Sequence, residues 1–191
     1  MKEMKKLSVM AYVSIGMLSS IAYLLMLLNF PLPLFPNFLF VDFSDIPALL
    51  AALIFGPVAG VLVEFLKNLL NYFATGSPTG VPVGHIANFL AGIVFVLPTY
   101  FVYNKLKSKK GMTIALITGS ITMAIVMSIL NYAFILPAYT VLMGFPDMRN
   151  LVVPAILPFN ILKGVMMSLI FMLLFVRMQT WITKFSTVKN A

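Results

Sequence analysis

The sequence predicts an all-α membrane protein of six transmembrane helices with both termini cytoplasmic, on three observations. The first is composition: 61% of the 191 residues are hydrophobic and only 9% charged, giving a mean hydropathy of +1.04. The second is length, which holds five or six crossings at about 20 residues each plus short loops, and little else. The third is charge placement. Lys2, Lys5 and Lys6 precede the first apolar run, Lys105, Lys107, Lys109 and Lys110 separate the fourth from the fifth, and Arg177, Lys184 and Lys189 follow the last. Six crossings put these ten of thirteen basic residues on one side, which the positive-inside rule makes the cytoplasm. The net charge of +8 therefore speaks for orientation in a lipid bilayer and not for nucleic acid. With no cysteine, disulfides, zinc-thiolate sites and thiol nucleophiles are excluded.

Residues 1–191 are expected to form one integral membrane domain, with helices at about 10–29, 46–55, 58–73, 81–103, 112–136 and 154–182. The first begins like a signal peptide, but its apolar run continues to about Asn29 with no small-x-small cleavage site, so it reads as a membrane helix. Gly16, Ser19 and Ser20 on it allow close approach of another helix. Pro31, Pro33 and Pro36 then break the chain, and Leu32, Leu34, Phe35, Phe38, Leu39 and Phe40 make an outer loop too apolar for ordinary exposure. That loop reads as a lid. Asp42 and Asp45 follow, spaced i, i+3 before Pro47: a metal or phosphate site, or a helix cap, the cap being favoured because no histidine or third acid lies near.

Ile46 to Phe55 spans about 15 Å of helix and cannot cross a roughly 30 Å core alone. Gly56-Pro57 reverses the chain, with Pro57 suited to the first turn of the next helix. That third helix carries Glu64 and Lys67, charges that at membrane depth cost at least about 2.5 kcal/mol each and so face a neighbour, a cavity or a ligand. His85 and Asn88 open the fourth helix, Asn131 and Tyr132 lie near the outer end of the fifth, and Asn160 and Lys163 follow Pro154 and Pro158, where the sixth is expected to break or kink.

Counted at about 1.5 Å per residue, Glu64, His85, Asn88, Asn131 and Lys163 all fall in the outer half of the bilayer. The inner halves of the last three helices hold only hydroxyls such as Thr113, Thr118, Thr122 and Ser128. A cavity open to the outside has this pattern; a continuous pore does not. Glu64 and Lys67, at i, i+3, either neutralise each other or touch a ligand. Lys163 has no local partner and must meet Glu64, an outer-loop acid or a ligand acceptor. Asparagine offers donors and an acceptor, so two of them with a lysine beside Phe and Tyr rings suit a flat, neutral heteroaromatic ligand such as a vitamin.

The stretches FVDFSDIPALLAALIFGPVAGVLVEFLKNLLNY, GSPTGVPVGHIANFLAG, LNYAFILP and NILKG resemble the substrate-binding (S) components of energy-coupling-factor (ECF) vitamin transporters, in particular the riboflavin-specific RibU type. The resemblance covers nearly the whole chain. It implies a bacterial plasma-membrane protein of six helices that holds one vitamin near the outer face, beneath the loop between helices one and two. Asn131, Asn160, Lys163 and Glu64 carry over as ligand contacts, with Phe38, Leu39, Phe40, Tyr132, His85 and Asn88 as further lining. Riboflavin is then cargo, and no cofactor is expected. The resemblance also implies docking onto a transmembrane coupling subunit with two ATP-binding-cassette ATPases. The family's small-residue docking motif departs here, Ala11 being followed at i+4 by Ile15, whereas Gly16 and Ser20 supply two small residues at that spacing. The chain has no GxxxxGK[ST] phosphate loop, so ATP must be handled by a partner.

Two other classes compete. A phosphotransferase using Asp42, Asp45 and His85 needs clustered metal ligands or a nucleophile with a base, and five acids spread over 191 residues offer neither. A ligand-free assembly protein leaves Lys163 and the apolar loop unexplained. An S component for another neutral ring vitamin is the remaining alternative.

Overall fold

The computed structural model describes residues 9–77 and 80–188, with side chains described through Thr180. Lys2, Lys5, Lys6 and Lys189, and the side chain of Lys184, on which part of the orientation reading rests, lie outside that range. The described chain is mostly helical: α1 Val9–Leu27, α2 Asp45–Phe55, α3 Pro57–Thr75, α4 Val83–Leu106, α5 Lys109–Leu130, α6 Leu136–Met143 and α7 Leu157–Val188. Four helical stretches are long and apolar enough to cross a membrane, namely Val9–Leu27, Val83–Leu106, Lys109–Met143 and Arg149–Thr180. The remaining two long elements are the short apolar α2 and the charged α3.

α2 and α3 form the centre. In α2 nine of eleven residues are buried, Asp45 to Leu49 and Ala51 to Ile54, so the helix is enclosed by protein rather than lipid. Its small residues Ala48, Ala51 and Ala52 let neighbouring backbones come close. Gly56 ends α2 at φ 100°, a conformation costly for any residue with a Cβ, and Pro57 starts α3 at once. α1 packs on α2 and α3, α4 on α3 and α5, and α7 on α5 and α2. Outward stripes of Tyr12, Val13 and Met17, or Ile114, Ile117 and Ile121, are more than 50% exposed, as a lipid-facing surface requires.

The fifth helix outruns its expected end. α5 passes through a π-helical turn at Asn131–Ile135 into α6, and the helical stretch continues to Met143 instead of ending near 136. Pro137 has no N–H and cannot continue an α-helical ladder; the backbone N–H of Leu136 reaches back five residues to the Asn131 carbonyl and widens the turn. The sixth helix behaves alike. A 3₁₀ turn at Arg149–Leu151 and a π turn at Val152–Ile156, which contains Pro154, run directly into α7, so the expected break is a change of helical register without interruption.

The loop between α1 and α2 is tied at its base by two antiparallel strands, β1 Phe30–Pro31 and β2 Phe40–Val41. Phe38 and Leu39, together with Met148, pack on buried Leu136, Val152 and Ile156. Phe35 meets Phe159 edge-on, ring centres 5.5 Å apart. The loop thus lies across the two π-turn ends of the helices, as the lid reading expects.

Candidate functional site

Beneath this loop lies a buried ionic network. Lys67 of α3, 0% exposed, bonds Asp45 of α2, the Ser44 hydroxyl at 2.6 Å, and Glu64 one turn back at 2.8 Å. Lys163 of α7 lies 3.3 Å from Asp42 and 3.8 Å from Asp45. Asp42 also accepts from the Ser44 backbone N–H at 3.0 Å, from the Ser44 hydroxyl, and from Asn88 of α4 at 3.1 Å. Three carboxylates and two ammonium groups thereby join α2, α3, α4, α7 and the end of the lid.

The capping expectation for Asp42 and Asp45 gives way here. Ser44 occupies the cap position in helical geometry, and its side chain makes no capping bond. Asp42 folds back on Ser44, while Asp45, in the first turn, turns to Lys67. Low-dielectric surroundings favour a full ionic partner over a single backbone N–H. The pairing of Glu64 with Lys67 matches its i, i+3 spacing, and Lys163 finds the outer-loop acid among its expected partners. Among the described residues no group of three or more His, Asp or Glu side chains has the spacing of a metal site.

Asn131 and Asn160 are both 6% exposed; Asn131 opens the first π turn and Asn160 lies in α7, four residues past the end of the second. Each donates its amide to a carbonyl of its own helix, Met127 and Ile156 respectively, at 2.8 Å, which leaves its side-chain oxygen out of that bond. The Glu64 carboxylate lies against the backbone of Gly92, where an added Cβ would come within 2.1 Å of Oε2. His85 donates from Nε2 to the Asn71 side-chain oxygen, 2.9 Å away, with the Tyr72 ring edge-on at 5.5 Å. Glu64, Asn88 and Lys163 are thus brought into one bonded network with its lid-end acid, and Phe38 and Leu39 cover the adjoining helix ends.

Two predicted residues stand apart. Phe40 is 45% exposed, its neighbour Val41 taking the inward position of the strand. Tyr132 is 55% exposed and lies under the Arg149 guanidinium, 5.6 Å from the ring centre. Arg149 also chelates Asp147 and holds that exposed carboxyl below its ordinary range through hydrogen bonds. The docking stretch of α1 divides as well: Ala11 and Ile15, each 3% exposed, face the protein's own core, and Gly16 and Ser20 lie on the outer face.

Asn68 and Asn71, 5% and 7% exposed, escaped the sequence reading. With Glu64 they repeat at i, i+4, i+7, one stripe of α3 that a helical plot of polar residues displays.

Residues 7–175 match the family described as ECF transporter, substrate-specific component. The chain is 51% identical over 175 residues to riboflavin transporter FmnP of Bacillus subtilis, covering 89% of this chain and 92% of that protein. It is 43% identical over 176 residues to riboflavin transporter RibU of Staphylococcus aureus, covering 90% and 92%. A solved structure of the S component of a bacterial ECF transporter superposes with a TM-score of 0.78 at 45% identity, over 90% of this chain and 96% of that one. Fold, lid and sequence agree over the same span, and the chain belongs to the substrate-specific components of ECF transporters.

Proposed function

We propose that the chain is the riboflavin-binding subunit of an ECF importer in a bacterial plasma membrane, and that it takes the vitamin on the outer side, under the α1–α2 loop. It is a transport subunit and not an enzyme. The observation that carries the choice of riboflavin is the 51% identity to a riboflavin transporter, over nearly the full length of both chains. The site supports it: an ammonium, two buried amides in or just past widened helix turns and an aromatic loop suit a flat ring system with carbonyls and ring nitrogens.

In this reading Asn131, Asn160 and Lys163 meet the ring, Phe38 and Leu39 close over it, Glu64, His85 and Asn88 line the α3–α4 side, and Phe40 and Tyr132 stand at the rim. α1 to α5 with α6, and α7, make six crossings in one membrane domain with both termini cytoplasmic. The outer face of α1 around Gly16 and Ser20 takes the coupling subunit, which brings the two ATPases; Ala11 and Ile15 support that face from within.

Asn131→Ala and Lys163→Ala are each expected to weaken riboflavin binding by about 1 to 3 kcal/mol, because each leaves a polar atom of the ligand unpaired in a dry site. Flavin fluorescence titration reads the change. Unaltered affinity in both variants defeats the assignment of the site.

A further inference from the structure

α5 and α7 touch where their side chains are smallest and part beside that point. A Cβ on Gly164 of α7 would come within 2.7 Å of Ser120 on α5, and the Ser120 and Ser168 hydroxyls meet at 3.2 Å. Ser120 donates in turn to the Leu116 carbonyl at 2.8 Å, so these hydroxyls are spent on each other and on the helix. Along this seam runs a groove of about 320 Å³, walled by the exposed Ile117 and Ile121 on one side and the exposed Val165 and Leu169 on the other. From Thr113 to Ile121 it follows about 12 Å of helix, most of the roughly 15 Å of hydrocarbon in one leaflet. Spread over that length, the groove is about one hydrocarbon chain wide; a helix, about 10 to 12 Å across, lies over it and not in it.

The Thr113 end of the groove is basic. Lys110 and Lys109 stand three and four residues before Thr113, on the same face of α5, and both are exposed. The four acids among the described residues are committed elsewhere: Asp42, Asp45 and Glu64 to Lys67 and Lys163, and Asp147 to Arg149. Two ammonium groups without a carboxylate therefore stand at the mouth of an apolar channel, which complements a phosphate carried on a hydrocarbon chain. We propose that the α5–α7 groove is a binding site for an anionic phospholipid of the leaflet on the Lys109 side. One acyl chain lies between the Ile121 and Leu169 walls, and the phosphate meets Lys109 and Lys110. The site faces the bilayer, apart from the network beneath the lid, and does not rest on the riboflavin reading.

The test titrates the purified protein in detergent with dioleoylphosphatidylglycerol or dioleoylphosphatidylcholine, which share their chains and differ in net charge, and counts bound lipid by native mass spectrometry. One phosphatidylglycerol is expected to bind at least about tenfold more tightly than phosphatidylcholine, in keeping with two lysines near its phosphate. Lys109→Gln with Lys110→Gln is expected to erase that preference. Lys105→Gln with Arg177→Gln removes as much charge from the same end of the molecule and is expected to keep it, since Lys105 is on α4 and Arg177, five residues past Met172, is on another face of α7. Leu169→Trp, which fills the groove, is expected to weaken phosphatidylglycerol binding about tenfold; if it does not fold, Ile121→Trp on the opposite wall reads the same loss. No preference in the native protein, equal loss of it in the two charge pairs, or a groove-filling variant that binds as before overturns the proposal. Dimers that Leu169→Trp abolishes overturn it too, in favour of a second copy of the chain on this face.

Discussion

Lys67 is the residue on which the centre of the molecule depends most. It is among the largest fully buried side chains of the described residues, and its ammonium is shared by Asp45, Ser44 and Glu64. Lys67→Met keeps the shape but leaves two buried carboxylates without their cation, a change expected to cost about 3 to 5 kcal/mol. Thermal unfolding in detergent should show it as a large drop in midpoint; an unchanged midpoint removes the network from the account of stability. At this scale the sequence was half legible. Charges in an apolar helix announced that Glu64, Lys67 and Lys163 needed partners, and spacing named one pair. Asp42 and Asp45 looked like caps because local rules see only the helix beside them, whereas their lysine partners lie 121 and 22 residues away, respectively.

The helices owe their close packing to absent side chains. Gly92 leaves room for the Glu64 carboxylate, which a Cβ would approach within 2.1 Å, whereas a Cβ on Gly16 would meet nothing within 4 Å. Gly92→Ala should therefore destabilise by about 1 to 3 kcal/mol through overpacking, and Gly16→Ala should be neutral or gain about 0.5 to 1 kcal/mol through helix propensity. Equal midpoints for the two variants contradict the α3–α4 contact described here. The short α2, the Gly56-Pro57 reversal and the lid were readable from the sequence, each from residues with one strong local preference. The two π turns were not. Proline in a helical pattern normally reads as an end or a kink, yet here the register widens next to Pro137 and around Pro154, with the buried Asn131 and Asn160 in or just after the widened turns. The packing of Phe38 and Leu39 on Leu136, Val152 and Ile156 gives the helical stretch past those turns a surface to cover.

For the whole molecule, composition and charge placement predict a sided membrane protein, and the lipid-facing stripes of α1 and α5 agree with it. The chain has no cysteine, so single cysteines report sidedness cleanly. Ser108→Cys, between α4 and α5, should react with a membrane-impermeant maleimide only from the cytoplasmic side, and Met148→Cys, between α6 and α7, only from outside. Labelling of both from one side contradicts six crossings with cytoplasmic termini. Function was legible through resemblance more than through physics: the clustering of polar groups toward one end of the helices predicts a site open to one side, while the choice among neutral ring vitamins comes from kinship. The central claim is therefore tested most directly by stripping the purified protein of ligand and titrating it with riboflavin while following flavin fluorescence. One-to-one quenching with tight affinity is the predicted result. Flavin fluorescence that stays unquenched at micromolar protein contradicts the claim, leaving a membrane S component whose vitamin is another.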